Sequence, residues 1–310
     1  MRRRMGFRDL RLLGESVSAD GYAQAKDVLK IVVGLAGLFE GIGIVLLLFA
    51  FVPQFGLEGI WVSVFTAISA FCNAGFDLLG GRFGAFSSLA GYNDNPLMLG
   101  TTAALIVVGG LGFFVWEDIV DKRCWSRLSV YSKMVLLITA VLIVGGALFF
   151  LMEEFDNPAT LGDMPLWQKG LNALFQSVTL RTAGFDSIGQ GGLSDTSKAM
   201  SCVLMLIGGS SGSTAGGLKT ATVGVLLLAL RSGLMGREQV TFRGRAIHYR
   251  RVLNAMTLAL VVLFVFVFSS MVVSTVEDLP YLDSAFEVAS AMGTVGLTTG
   301  ITPTLTPFSQ

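Results

Sequence analysis

Three aligned stretches hold the residues of this 310-residue chain whose types and spacing could do chemistry. They are "FTAISAFCNAGFD" from Phe65, "LFQSVTLRTAGFD" from Leu174 and "FEVASAMGTVGLT" from Phe286, and they match without gaps. Each runs from a bulky apolar residue through a short amphipathic helix. A polar residue, a small or branched residue, a glycine and a bulky apolar residue follow. Gly75, Gly184 and Gly296 lie 109 and 112 residues apart, which marks an internal repeat. A half-helix ending at membrane depth aims the negative end of its dipole, about half a charge, at whatever lies beyond it. The extended segment after it exposes backbone carbonyls, and rings of carbonyls that replace a hydration shell select cations. Glycine suits a carbonyl that must face an ion in a conformation unfavourable for residues bearing Cβ. The candidate ion ligands are therefore the carbonyls of Asn73, Ala74, Gly75 and Phe76, of Thr182, Ala183, Gly184 and Phe185, and of Thr294, Val295, Gly296 and Leu297. Asp77 and Asp186 follow two of these segments directly and are expected at an external mouth, where they would concentrate cations. The competing reading is that the glycines only permit close helix packing. Packing alone would not require a preceding half-helix three times.

A second constellation is "GGSSGSTAGG", comprising Gly208, Gly209, Ser210, Ser211, Gly212, Ser213, Thr214, Ala215, Gly216 and Gly217. It interrupts a stretch, 198–231, far longer than one span, and cannot form a stable lipid-facing helix. Its letters brush two enzymatic motifs. Gly208, Ser210 and Gly212 spell G-x-S-x-G, yet no strand precedes them, and His248, the single histidine, lies in a basic loop. "GSTAGGLKT" lacks the G-K-[ST] of a P-loop, because Leu218 separates Gly217 from Lys219. An intramembrane hydrolase is thus a remote alternative, and no enzyme is expected. Three charges fall inside apolar segments, where each is a functional candidate. Arg181 precedes Gly184 by three positions. It is expected to brace the segment from behind, bonding carbonyls or an acid such as Glu287, with an electrostatic barrier to sodium or to multiple occupancy as the alternative. Glu40 could pair with such a cation or with half-helix amides. Lys219 could bias the Gly/Ser stretch or merely extend toward the membrane surface.

The elements that position these residues are legible in composition. Hydrophobic residues make up 53% of the chain and charged ones 14%, with a mean hydropathy of +0.69. Runs from Ile31 to Val52, Pro96 to Trp116, Met134 to Met152 and Val252 to Val273 approach the roughly 20 apolar residues a helical span requires. The expected fold class is an all-α polytopic membrane protein. Seven Lys or Arg fall in residues 1–30, four in 121–133 and six in 231–251, together 17 of 22. The other connections, "EEFDNPATLGDMP" and "VEDLPYLD", are acidic. The positive-inside rule then makes the basic segments cytoplasmic. Nothing accompanying them suggests nucleic-acid binding. No secretory signal is evident. Cys72, Cys124 and Cys202 share no disulfide or metal spacing, so neither a transition metal nor a cofactor is expected.

"AFCNAGFD", "TLRTAGFDSI", "GGSSGSTAGGLKT" and "AMGTVGLTTGI" closely resemble the Trk/Ktr/HKT superfamily of potassium transporters, bacterial TrkH/KtrB type, over nearly the whole chain. The resemblance implies tandem M1–pore-helix–M2 units around a pseudo-fourfold cation pore. Three units are read here. The organisation expected is a cytoplasmic basic segment at 1–30, a second unit at 31–120 and a third at 121–231. A cytoplasmic basic loop at 232–251 and a fourth unit at 252–310 follow, the last with M1 and pore segment only. The family's first unit and last helix have no counterpart, so the chain is expected to be a fragment that does not transport alone. The function implied is potassium transport, with sodium possible, through a carbonyl-lined selectivity filter at the cytoplasmic membrane. Glycine at all three filters favours potassium. The resemblance makes 208–217 an intramembrane gate below the filter, with a functionless kink as the alternative. Deleting part of it is expected to raise flux with little effect on selectivity. A homodimer and cytoplasmic nucleotide-binding subunits of the TrkA/KtrA type are implied as partners, beside the bilayer. The other function class is a secondary transporter binding substrate at broken helices. Such repeats are commonly inverted, whereas these share one orientation.

Overall fold

A long apolar run in lipid can satisfy its backbone only by closing every hydrogen bond within itself, so it folds as a helix. The computed structural model describes residues 22–84, 86–237, 239–242 and 245–309. Among the described residues three helices are long and apolar enough to cross a membrane: Val32–Phe55 within α1 (Tyr22–Phe55), α5 (Val130–Glu153) and α9 (Tyr249–Glu277), with mean hydropathy 2.4, 2.8 and 2.7. Their outer faces are apolar, as Leu260, Phe264 and Phe268 on α9 illustrate, which suits a lipid solvent. The chain is a helical, polytopic membrane protein. Most of the basic segment expected at 1–30 lies outside the described residues. Its last part, from Tyr22, is already helix α1.

Each long helix packs against the short helix that follows it. These are α2 (Glu58–Phe71) on α1, α6 (Leu166–Thr179) on α5, and α10 (Tyr281–Gly293) on α9. The short helices start where proline or an acidic residue favours a helix N-terminus, as at Pro165, Pro280 and Glu58. They are also far more buried than the long ones.

The apolar run from Pro96 to Trp116, read as one span, is broken between two helices. Helix α3 (Pro96–Leu111) opens with Asn95 accepting the N–H of Leu97 and Met98, and it stops at Gly112. Gly112 adopts φ 84°, ψ 148°, a conformation essentially reserved for glycine, and α4 (Phe113–Lys122) leaves at 92°. The stretch over 198–230 is likewise split, into α7 (Asp195–Leu206) and α8 (Thr220–Leu234), as its composition indicates. Among the described residues the only strands are β1 (Thr241–Phe242) and β2 (Arg245–Ala246), a short hairpin in the basic loop.

Two cores support the repeats. One joins Phe51, Ala67, Phe71, Ile106, Phe175, Ala183 and Phe185, and the other joins Phe150, Leu180, Met205, Phe286, Val295 and Leu297. The side chains of the second and third glycine segments are thus anchored in apolar cores behind them.

Candidate functional site

The three glycine segments share one backbone. Asn73, Thr182 and Thr294 have φ of 51°, 68° and 56°, and Gly75, Gly184 and Gly296 have 71°, 86° and 89°. Left-handed φ therefore recurs at the first and third position of every copy, with an ordinary residue between. In such alternation successive peptide groups turn the same way, so N–H groups collect on one side and carbonyls on the other. A left-handed residue with a Cβ costs roughly 1–2 kcal/mol, so Asn73, Thr182 and Thr294 need support.

The short helices supply part of it. Ala74 N–H donates to Ser69 O (2.9 Å), Ala183 N–H to Thr179 O (3.0 Å) and Val295 N–H to Ser290 O (2.8 Å). The Ser69 hydroxyl accepts Phe76 N–H at 2.9 Å, and that of Ser290 accepts Gly296 N–H at 3.1 Å. In the middle copy the Thr179 hydroxyl donates to Phe185 O at 2.6 Å. The copies stand side by side. A Cβ on Gly75 would lie 2.5 Å from Ala183 O, and one on Gly184 would overlap Val295 O. Segments about 110 residues apart in sequence thus stand in direct contact, with the middle copy between the other two.

Arg181 is buried behind the middle copy, only 7% exposed. Its Nη2 donates to Gly208 O (3.2 Å) and to the Thr220 hydroxyl (3.4 Å). The acid offered as its partner is engaged elsewhere. Glu287 accepts the Thr298 hydroxyl (2.6 Å), Thr299 N–H (2.9 Å) and the Thr302 hydroxyl (2.6 Å), all in the chain just beyond its own glycine segment. Glu40 is half-buried near Cys72 and has no hydrogen-bond or ion-pair partner among the described residues. Asp77 accepts Leu79 N–H at 2.8 Å. Asp186 accepts Ile188 N–H at 3.1 Å and the Gln190 amide at 2.7 Å. Both carboxylates thus fix the turn that leaves their glycine segment.

The Gly/Ser stretch is an ordered loop, closed at its base by Gly208 N–H to Leu218 O (2.9 Å) and Leu218 N–H to Leu206 O (3.0 Å). Lys219 Nζ donates to Ala215 O at 2.7 Å, so this side chain ties the loop back on itself. One flank rests on the α3–α4 elbow. Ser210 N–H donates to Gly110 O (3.0 Å), Phe113 N–H to Gly212 O (3.0 Å), and the Ser210 hydroxyl to Leu111 O. The other flank reaches the glycine segments themselves. The Thr214 hydroxyl lies 3.0 Å from Phe71 O and 3.3 Å from Asn73 Oδ1. Gly216 N–H donates to the Thr182 hydroxyl at 3.2 Å, and a Cβ on Gly216 would overlap that of Thr294.

Residues 9–310 match the family described as TrkH, cation transport protein. The chain belongs to that family. TrkH-family proteins are transporters, not enzymes. The chain is 41% identical over 300 residues to the potassium/sodium uptake protein NtpJ of Enterococcus hirae, covering 95% of this chain and 65% of the relative. It is 32% identical over 305 residues to the Ktr system potassium uptake protein B of Bacillus subtilis, covering 98% and 67%. The chain therefore spans about two thirds of these relatives' length. Its fold matches the crystal structure of the potassium transporter TrkH from Vibrio parahaemolyticus, with TM-score 0.65 at 18% identity, covering 97% of this chain and 69% of that one.

Sequence reasoning missed three features of this TrkH-family site. The bend at Gly112 hides in an apolar run that reads as one span. Contacts of Thr214 and Gly216 with the filters join residues far apart in the chain and leave no local signal. The third is Glu154, fully buried in the connection after α5, where it accepts Ser194 N–H (3.0 Å) and the Thr160 hydroxyl (2.6 Å). Burial alone would raise its pKa. Hydrogen bonds from Ser197, Thr160, Ser194 and Asn157 outweigh that and hold it below its ordinary value.

Proposed function

We propose that this chain builds three sectors of a potassium-conducting pathway, with sodium as the competing ion. The observation that carries the reading is the left-handed alternation repeated in three adjacent glycine segments. Carbonyls of 73–76, 182–185 and 294–297 line the path and replace water around a dehydrated cation. Arg181 braces the middle sector through the loop's carbonyl, leaving the path itself free of its charge. Asp77 and Asp186 shape the outer end, and Glu40 marks the half-helix end of the first sector. Residues 208–217 form the gate, since a loop of small residues at the inner side of the filters can take two arrangements at modest free-energy difference. Lys219 holds it closed upon itself.

The basic connections at 121–133 and 231–251 face the cytoplasm, and the domain boundaries at 120, 231 and 251 follow from that topology. The same connections are the surfaces for cytoplasmic regulatory subunits. The "Ktr system" name of the Bacillus relative fits a multi-component assembly. Resemblance to the family supports a homodimer with nucleotide-binding partners. In lipid vesicles, the intact transporter that contains these three sectors should show saturable Rb+ uptake that K+ suppresses at lower concentration than Na+ does. Absence of saturable uptake, or equal competition by the two ions, would overturn this function.

A further inference from the structure

The first residue of each filter segment is polar and left-handed, and the gate loop meets all three. Thr214 reaches Asn73 and the carbonyl of Phe71, Gly216 donates to Thr182, and Gly216 packs without clearance against Thr294. Above this level each filter is supported by its own short helix through Ser69, Thr179 or Ser290. At this level the support is shared with the loop. Arg181 makes the converse link, rooted in the middle filter and bonded to Gly208 at the loop's entry. Its neighbouring carbonyl, Arg181 O, also receives the Asn73 side-chain amide at 3.4 Å. Asn73 therefore connects the first filter, the middle filter and the loop.

We propose that the loop is a structural part of the filter's inner ring, and that Thr214 is a positioning residue for ion selectivity as well as for gating. With the loop seated, Asn73, Thr182 and Thr294 are held in a conformation they would otherwise leave. When the loop withdraws, the passage opens and these residues lose the contacts that hold them. The innermost carbonyls then relax, and discrimination between ions falls as flux rises. The inference rests on the pore reading above, and it departs from the expectation that the loop controls access alone.

Thr214→Val removes the hydroxyl while nearly preserving shape. In reconstituted transporter it should raise Rb+ flux and lower the K+/Na+ preference together. Each should change roughly threefold to tenfold, the effect of losing about one hydrogen bond. Thr214→Ser, which keeps the hydroxyl, should restore both quantities. A loss of packing alone would not be rescued in this way, because serine is the smaller residue. Gly216→Ala approaches the same contact by wedging the loop away from Thr294, and it should shift flux and preference in the same directions. It decides the matter should Thr214→Val fail to accumulate. Raised flux at unchanged preference in these variants would overturn the coupling and leave the pore reading intact. So would normal flux and preference in well-folded Thr214→Val. Wild-type transporter without saturable Rb+ uptake would instead overturn the pore reading beneath it.

Discussion

The filter segments and the Gly/Ser loop use the same kinds of residue, and both avoid regular helix, but they are held differently. Apart from the contacts that Asn73 and Thr182 make with the loop and with each other's segments, the bonds of the glycine segments are local. Ala74 returns to Ser69, Ala183 to Thr179 and Val295 to Ser290, each within five residues along the chain. The loop, apart from its closed base, borrows support. Ser210 and Gly212 bond the elbow around Gly112, Thr214 reaches Phe71 and Asn73, and Gly216 reaches Thr182. A segment whose bonds close on its own helix cannot move without unwinding that helix. One whose bonds end on neighbours can exchange them for others. On the gating proposal above, the difference makes the glycine segments the more fixed part and the loop the moving one.

The largest effect should come from the rigid side. Gly184→Ser puts a Cβ on a left-handed residue and drives it into Val295 O. Backbone strain and overpacking each contribute about 1–3 kcal/mol. Because adjacent sectors touch there, the strain spreads to the neighbouring carbonyls. K+/Na+ preference in vesicles should fall at least tenfold. An unchanged preference at normal membrane levels would mean the filter is as adaptable as the loop.

Next in size is the elbow. Gly112→Ala adds a methyl group to a backbone essentially closed to alanine, and it meets the Ser210 hydroxyl. The expected cost is about 1–3 kcal/mol, taken from the loop's lower anchorage and not from any filter. Basal Rb+ flux should rise severalfold. If flux falls instead, the elbow is what keeps the path open, and the loop is not held shut from that side.

How much of this was legible in the sequence follows from the same contrast. The glycine segments were readable because their support is largely local: a half-helix, a polar residue and a glycine lie together and recur about every 110 residues. Hydroxyls at Ser69 and Ser290 even occupy the same column of the alignment. The loop was readable as a loop, since ten residues of Gly, Ser, Thr and Ala carry no helical drive. Its neighbours were not readable. Thr214 and Asn73 are 141 positions apart, and no property of either announces the contact. Arg181 was expected to bond carbonyls or an acid such as Glu287, because a buried charge needs partners. Its Nη2 meets the Gly208 carbonyl and the Thr220 hydroxyl, groups that no pattern of charges reveals, while its buried Nε has no hydrogen-bond partner among the described residues. Gly112 failed for a further reason, since one glycine in an apolar run is ordinary within a span and only its dihedral angles mark a break.

The smallest effect tests whether the loop moves on a fixed frame. Glu154 ties the end of α5 to Ser194, the residue that caps α7, and α7 leads into the loop. Glu154→Gln keeps the shape but weakens charge-assisted bonds in a fully buried site, at about 1–3 kcal/mol. Detergent-solubilised protein should melt several degrees lower at pH 7, while Rb+ flux and ion preference stay at wild-type values. The pH dependence has a definite sign. A carboxyl whose folded pKa is depressed gives stability that is complete above its ordinary value of 4.5 and is lost as pH falls through the folded pKa. Wild type and Glu154→Gln should therefore differ most near neutrality and converge as acid protonates the wild-type carboxyl. A difference that persists undiminished well below pH 4.5 would mean that packing holds the connection and charge does not. A change in flux at pH 7 would mean that the α7 end of the frame moves with the loop, and the contrast between fixed filter and mobile loop would have to be redrawn to include that helix.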